Sequence, residues 1–198
     1  MTASLEFWFE FASTYSYLAA ERIDALARAA GVAVVWRPFL LGPIFKAQGW
    51  NDSPFNIYPA KGRYMWRDME RLCQRLGVPL RRPSQFPRNG LLAARVTLAG
   101  GDAEWVPRFV RSAYRANFGE DRDIADAAVV AALLRDAGAS PDQVLAQAVT
   151  PTVKDRLRAQ CERASELGLF GAPSFVTRGE LFWGNDRLED AIEWARGG

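Results

Sequence analysis

The chain has 198 residues, 49% hydrophobic and 24% charged, which suits one folded domain, or one carrying a large insertion, and excludes a disordered chain. Lys and Arg number 25 against 23 Asp and Glu, so a net charge of +2 gives no reason to expect nucleic acid or a membrane surface as partner. Histidine is absent, which excludes a Ser-His-Asp triad, a Cys-His pair and His-ligated zinc or iron.

Leu5, Phe7, Phe9 and Phe11 alternate with Glu6, Trp8 and Glu10, the two-residue period of a strand. After Ala12-Ser13-Thr14 the apolar residues Tyr17, Leu18, Ile23, Leu26, Ala27 and Ala30 recur at helical spacing, and Gly31 predicts the C-cap. Val32 to Leu40 reads as a second strand, completing a βαβ unit whose parallel strands need the helical crossover. A Gly-, Pro-, Asn- and Ser-rich loop is expected from Gly42 to Pro59. Five helices follow, over Gly62–Leu76, Arg88–Ala99, Asp102–Asn117, Asp126–Ala137 and Pro141–Ala148, broken at prolines and glycines. The last third predicts a helix over Pro151–Leu167, short strands at Ser174–Thr177 and Glu180–Trp183 around Arg178-Gly179, and a helix over Asp186–Arg196. A sheet built by the two ends of the chain, with an all-helical insertion between them, satisfies this order.

Met1 to Glu6 contains no basic segment, and Glu6 and Glu10 interrupt the apolar stretch, so no secretion signal is expected. The longest apolar run, Ala127 to Leu134, falls well short of the ~20 residues of a membrane helix. Cys73 and Cys161 form neither a CxxC nor part of a second pair, which excludes a zinc cluster and allows one bridge at most. A soluble, cytoplasmic protein without a metal site is the expectation, with both cysteines as packing residues.

Three segments carry candidate chemistry. Ser13 stands where a strand hands over to a helix, so its hydroxyl serves as an N-cap or, with the unsatisfied N–H groups there, stabilises an anion. Ser13-Thr14-Tyr15-Ser16 has the S-x-x-S form at the place where a thioredoxin-type βαβ unit carries C-x-x-C. Phe170-Gly171-Ala172-Pro173-Ser174-Phe175 is either a plain turn before a strand or the Pro-containing loop that faces that helix start in the thioredoxin arrangement. In Phe182-Trp183-Gly184-Asn185-Asp186-Arg187, Asp186 reads as a capping box with Glu189, or as a carboxylate open to a ligand ammonium.

The segments FWFEFASTYSYLA (Phe7 to Ala19), NDSPFNIYPAKGRY (Asn51 to Tyr64), FGAPSF (Phe170 to Phe175) and FWGNDRL (Phe182 to Leu188) stand in one order along the chain. On these the chain resembles the kappa-class glutathione transferase branch of the DsbA-like thioredoxin superfamily, and within it the 2-hydroxychromene-2-carboxylate isomerases. One departure is Thr14, where that branch often has proline. The resemblance implies an α/β, thioredoxin-like fold (βαβ…ββα) with an inserted all-helical domain: residues 1–45 and 151–198 form the first unit and 46–150 the insertion. It also implies glutathione as cofactor, an aromatic small-molecule substrate and a homodimer.

By the same resemblance Ser13 matches the serine that hydrogen-bonds glutathione sulfur. Asn51 and Lys61 match the residues that hold the tripeptide and the reacting centre. Ala172, before Pro173, matches the residue whose backbone pairs with the cysteinyl part, and Asn185 and Asp186 match the pair that receives the γ-glutamyl end. A solvated surface lysine is the plainer reading of Lys61. Because no histidine can activate Ser13, a hydrogen-bond donor to an imported thiolate suits it better than a nucleophile. An aryl substrate calls for an aromatic wall, with Trp8, Tyr15, Phe39, Phe45, Trp50, Tyr64, Trp66 and Trp183 as candidates. Arg81, Arg82 and Arg88 are expected on a solvated surface. The expected activity is a glutathione-dependent isomerase acting through reversible thiolate addition. A kappa-type transferase and a non-catalytic thioredoxin-like binding module are the alternatives.

Overall fold

The computed structural model describes residues 3–197. Strand β1 (Ser4–Phe9) leads into helix α1 (Thr14–Ala30) and strand β2 (Ala33–Pro38). Gly31 closes α1 in the left-handed conformation, with φ 68°, and its N–H reaches the carbonyls of Ala27 and Arg28. Strands β3 (Ser174–Thr177) and β4 (Glu180–Trp183) come from the far end of the chain. The sheet order is β2-β1-β3-β4, with β1 parallel to β2 and antiparallel to β3, and β3 antiparallel to β4.

Both faces of β1 are covered. Leu5, Phe7 and Phe9 are fully buried, and so is Trp8 on the other face, although it occupies a position that alternates with them. Buried parallel strands lose the polar outer face that alternation implies. On the Trp8 side lies helix α9 (Pro151–Glu166), whose Arg163 reaches Glu6 at 3.1 Å and stands over the Trp8 ring.

The stretch expected as a loop from Gly42 to Pro59 instead holds helices α2 (Leu41–Ala47) and α3 (Pro54–Ile57). Two of its prolines start helices rather than break them: Pro54 follows the Ser53 cap, and Pro59 opens α4 (Pro59–Leu76). Helix α5 (Leu91–Gly100) packs on α8 (Pro141–Ala148), α9 and β2. Helix α6 (Val106–Tyr114) packs on α7 (Ala127–Ala137) and α1, and runs into a π-helical turn over Arg115–Gly119. That turn ends the helix expected over Asp102–Asn117 and brings Tyr114 and Phe118 beside Tyr17 of α1, with ring centroids 6.1 and 5.7 Å away.

At the chain's end the expected capping box does not form. A 3₁₀ turn (Asn185–Arg187) precedes α10 (Leu188–Arg196), whose cap residue is Arg187, without a side-chain cap. Asp186 points outward to Arg187 at 3.1 Å, and Glu189 pairs with Arg22 of α1. The tie between helices therefore replaces the local one, and α10 packs along α1. Arg88 also departs from expectation. It is buried at 6% exposure, bound to Asp121 and to the carbonyls of Asn117, Asp121 and Arg122.

Candidate active site

Ser13 caps α1 from an extended conformation, its Oγ accepting the Ser16 N–H at 3.2 Å and donating to the Ala172 carbonyl at 2.8 Å. One hydroxyl thus joins the start of α1 to the loop before β3, where the Ala172–Pro173 bond is cis. The N–H groups of Thr14 and Tyr15 find no acceptor among the described residues, as the first turn of a helix dictates. They supply positive partial charge beside the Ser13 oxygen.

The segment leading to Ser13 is held from three sides. Ser13 N–H donates to the Glu10 carbonyl at 2.9 Å, Tyr114 Oη–H donates to the same carbonyl at 2.9 Å, and the Asn117 amide donates to the Phe11 carbonyl at 3.1 Å. Both Tyr114 and Asn117 come from the α6 region, so the helical block fixes the turn that presents the serine.

Ser13 opens on a cavity of about 1830 Å³. Asn51, Lys61, Ala172, Pro173, Asn185 and Asp186 line the same cavity, so all seven residues singled out in the sequence meet there. Asn185 is buried, its side-chain oxygen accepting from Arg22 at 3.0 Å. Asp186 and Asn51 are exposed. Lys61 is exposed in the first turn of α4, its Nζ 5.7 Å from the Tyr58 ring centroid.

Of the expected aromatic wall, Tyr15, Phe45, Trp50, Tyr64 and Trp183 line the cavity. Trp8 and Phe39 are core residues with ring centroids 6.0 Å apart, and Trp66 faces a separate groove beside Arg82. Phe55, Phe86 and Phe170 belong to the wall and were not anticipated. Phe170 and Trp183 form a pair 4.9 Å apart at the rim. Gly171 makes this possible, since a Cβ there would strike the Trp183 indole. The Tyr15 hydroxyl donates to Asp68 at 3.0 Å, and burial together with that carboxylate pushes its phenol pKa further up. It therefore serves as a donor and not as a base.

Arg22, Asp68 and Glu10 also line the cavity, and no sequence pattern assigns them a role there. Arg22 lies more than two turns beyond Ser13, and no local spacing links it to Asn185 or Glu189. In the sequence Glu10 reads as the polar half of a strand pattern and as a break in an apolar stretch, yet it is 8% exposed. Burial pushes its carboxyl from the ordinary 4.5 up to about 7, against the lowering effect of the Ala12 N–H. Cys73 and Cys161 are free and buried, and burial raises the Cys73 thiol to about 11. Among the described residues no cluster suited to a metal ion occurs.

A serine at a helix start, a facing cis-proline loop and a two-ended sheet define the class. The DsbA-like thioredoxin domain matches residues 4–193, and the chain belongs to that family, as the sequence led us to expect. Within it, a 2-hydroxychromene-2-carboxylate isomerase of Sphingobium xenophagum is 31% identical over 191 residues, covering 96% of each chain. Glutathione S-transferase kappa 1 of Homo sapiens is 27% identical over 200 residues, 94% of this chain and 88% of the relative. The solved structure of a 2-hydroxychromene-2-carboxylate isomerase superposes with a TM-score of 0.87 at 25% identity, covering 98% of this chain and 94% of that one. Both kinds of relative are named as enzymes.

Proposed function

We propose that the protein is a glutathione-dependent isomerase that interconverts 2-hydroxychromene-2-carboxylate and trans-o-hydroxybenzylidenepyruvate in the breakdown of aromatic compounds. The observation that carries this reading is Ser13 itself: a hydroxyl at the N-terminus of α1, facing the cis-Pro173 loop in a large cavity that no cysteine lines. Such a site has no disulfide to exchange and is built to settle a sulfur anion brought from outside.

The donor set fits the tripeptide. Glutathione carries a thiol, an ammonium and two carboxylates; Ser13 with the Thr14 and Tyr15 N–H groups suits the first, exposed Asp186 the second, and Lys61 and Asn51 a carboxylate. When bound, glutathione supplies a nucleophile that adds to the conjugated double bond and leaves again. Ser13 holds the charge in place, and lowering a thiol pKa by even one unit asks about 1.4 kcal/mol of it and its neighbours. Lys61 neutralises the substrate carboxylate or the negative charge that develops on its carbonyl oxygen. Trp183, Phe170 and Tyr64 take the aryl ring. The same reading treats residues 46–150 as an insertion, since every strand comes from outside that range. It also takes the protein as a cytoplasmic homodimer, consistent with two free buried cysteines for the compartment and testable by light scattering for the assembly.

The experiment is turnover of 2-hydroxychromene-2-carboxylate followed by absorbance, with glutathione recovered unchanged. Full-rate isomerisation without any thiol overturns the proposal. A stable conjugate formed from an aryl chloride, without isomerase turnover, assigns the protein to the transferases instead. No heat of glutathione binding leaves only a scaffold.

A further inference from the structure

Glu10 is the one buried carboxyl of the cavity and has no part in the chemistry above. It stands three residues before Ser13, and its side chain is held in position without being neutralised. Oε2 accepts the Ala12 N–H at 3.0 Å, Oε1 takes no hydrogen bond from a described residue, and no described Lys or Arg bridges the carboxylate. Oε1 is not sealed off from solvent, since it is not among the unpartnered atoms fully enclosed by the fold. Space for it is kept by Gly90, where a Cβ would lie 3.2 Å from Oε1 and 2.8 Å from the Phe11 Cβ.

Charged and titratable neighbours come from each packed element. Tyr114 of α6 donates to the Glu10 carbonyl, not to its carboxylate. Cys161 of α9 has its thiol raised mainly by burial, with the Glu10 charge adding to it. Arg88, just before α5, is committed to Asp121 and to three carbonyls. A buried carboxylate without a cation favours its protonated form, and burial brings this one to about 7. In a chain without histidine, and with the Tyr15 proton tied to Asp68, no other buried acid of the cavity offers this.

We propose that Glu10 is the proton acceptor for a thiol that binds at Ser13. The S–H bond breaks with its electron pair left on sulfur, and the proton bonds to Oε1. On release of the thiol the same proton returns. The exchange also removes the one buried negative charge that would repel a thiolate in this cavity. The inference rests on the glutathione reading given above.

The test is the number of protons released to solvent when glutathione binds, obtained by calorimetry near pH ~7.5 in buffers of different ionisation heat. Wild type, keeping the proton on Glu10, releases little. Glu10→Gln keeps an oxygen for the Ala12 N–H and releases about one proton more per glutathione, while the ultraviolet absorbance still reports a bound thiolate. Equal release in the two proteins, both binding thiolate and both turning over, overturns the Glu10 assignment and leaves the isomerase reading standing. Suppressed release in a wild type that isomerises nothing keeps the Glu10 assignment and removes the isomerase reading. No glutathione binding removes both. If Glu10→Gln does not fold, infrared spectra of the wild type decide: a protonated-carboxyl band must appear on glutathione binding, and its absence refutes the proposal.

Discussion

Replacing Ser13 with alanine removes one oxygen that makes two contacts, and the structure lets its effects be separated. Uncapping α1, where Oγ accepts the Ser16 N–H, costs about 1 kcal/mol. Leaving the Ala172 carbonyl without its donor costs about 1 kcal/mol more. With a urea dependence of about 2 kcal/mol per molar, the unfolding midpoint should fall by roughly 1 M. The effect on chemistry is separate. A hydrogen bond to an ionised partner contributes about 1.5–3 kcal/mol, so the bound thiol pKa should rise by about one to two units and activity should fall at least ~10-fold at neutral pH. Thr150→Ala is the control, because Thr150 Oγ1 caps α9 in the same way, accepting the Val153 N–H at 3.4 Å, away from the cavity. Urea unfolding and the ultraviolet titration of bound glutathione are measured on all three proteins. A Ser13→Ala protein that loses stability like the control, yet titrates its thiolate as wild type does, shows that Ser13 is a helix cap and nothing more.

Glu10 should leave a mark on stability as well as on binding. Its folded pKa lies above the unfolded one, so the native state holds the extra proton between pH 4.5 and about 7. Its contribution is whole below 4.5 and is lost as the pH rises to about 7, a fall of about 3 kcal/mol. Urea unfolding at pH values either side of that window should show the fall in wild type and not in Glu10→Gln; an equal fall in both contradicts the assignment. Arg88→Met should cost about 3 kcal/mol, because the Asn117, Asp121 and Arg122 carbonyls lose a donor together, and a loss below ~1 kcal/mol in thermal unfolding would show that they find other partners. Cys73 and Cys161 should resist a thiol reagent in the native protein and react only on unfolding, given their burial and raised thiol pKa; rapid native labelling of either would contradict the packing described here.

Elements with local signals were legible in the sequence. The span of α1 follows from its apolar spacing and from Gly31, and β3 and β4 from the turn between them, where Arg178 and Gly179 both take positive φ. What failed had a non-local cause. Asp186 and Glu189 fit a capping box on paper, but Arg22, far away in sequence, claims Glu189 and leaves Asp186 outside. Arg88 looked like one more surface arginine, because its partners, grouped around the turn after α6, lie about thirty residues downstream. Glu10 reads as the polar half of an alternating pattern, whereas it lies just past the end of β1 and is buried with its carboxylate against Gly90. Within the cavity, short motifs mark Ser13, Lys61, Ala172, Asn185 and Asp186, whereas Arg22 and Phe86 lie outside every motif and are brought in by tertiary packing, and Phe55 sits inside one without a spacing that assigns it a role.

The two ends of the cavity are built differently, and this bears on which reaction it serves. In the turn from Glu10 to Ser13 the first two residues are buried and the last two half-buried, and Tyr114 and Asn117 tie it, so this end of the cavity is fixed before any ligand arrives. Lys61, Tyr64, Trp183 and Asp186, by contrast, are exposed on two stretches of the rim, the first turns of α4 and the end of β4 with the 3₁₀ turn after it. Isomerase and transferase both need the first end unchanged, since each starts from a stabilised thiolate. They differ in whether the bonded product is held until the thiolate leaves again or is let go. If the proposed function holds, that choice falls to the rim, so substitutions at Trp183 and Lys61 should shift the ratio of isomerisation to conjugation while leaving the bound thiolate titration unchanged from wild type. A rim substitution that moves the titration as far as Ser13→Ala does would show that the two ends are one unit.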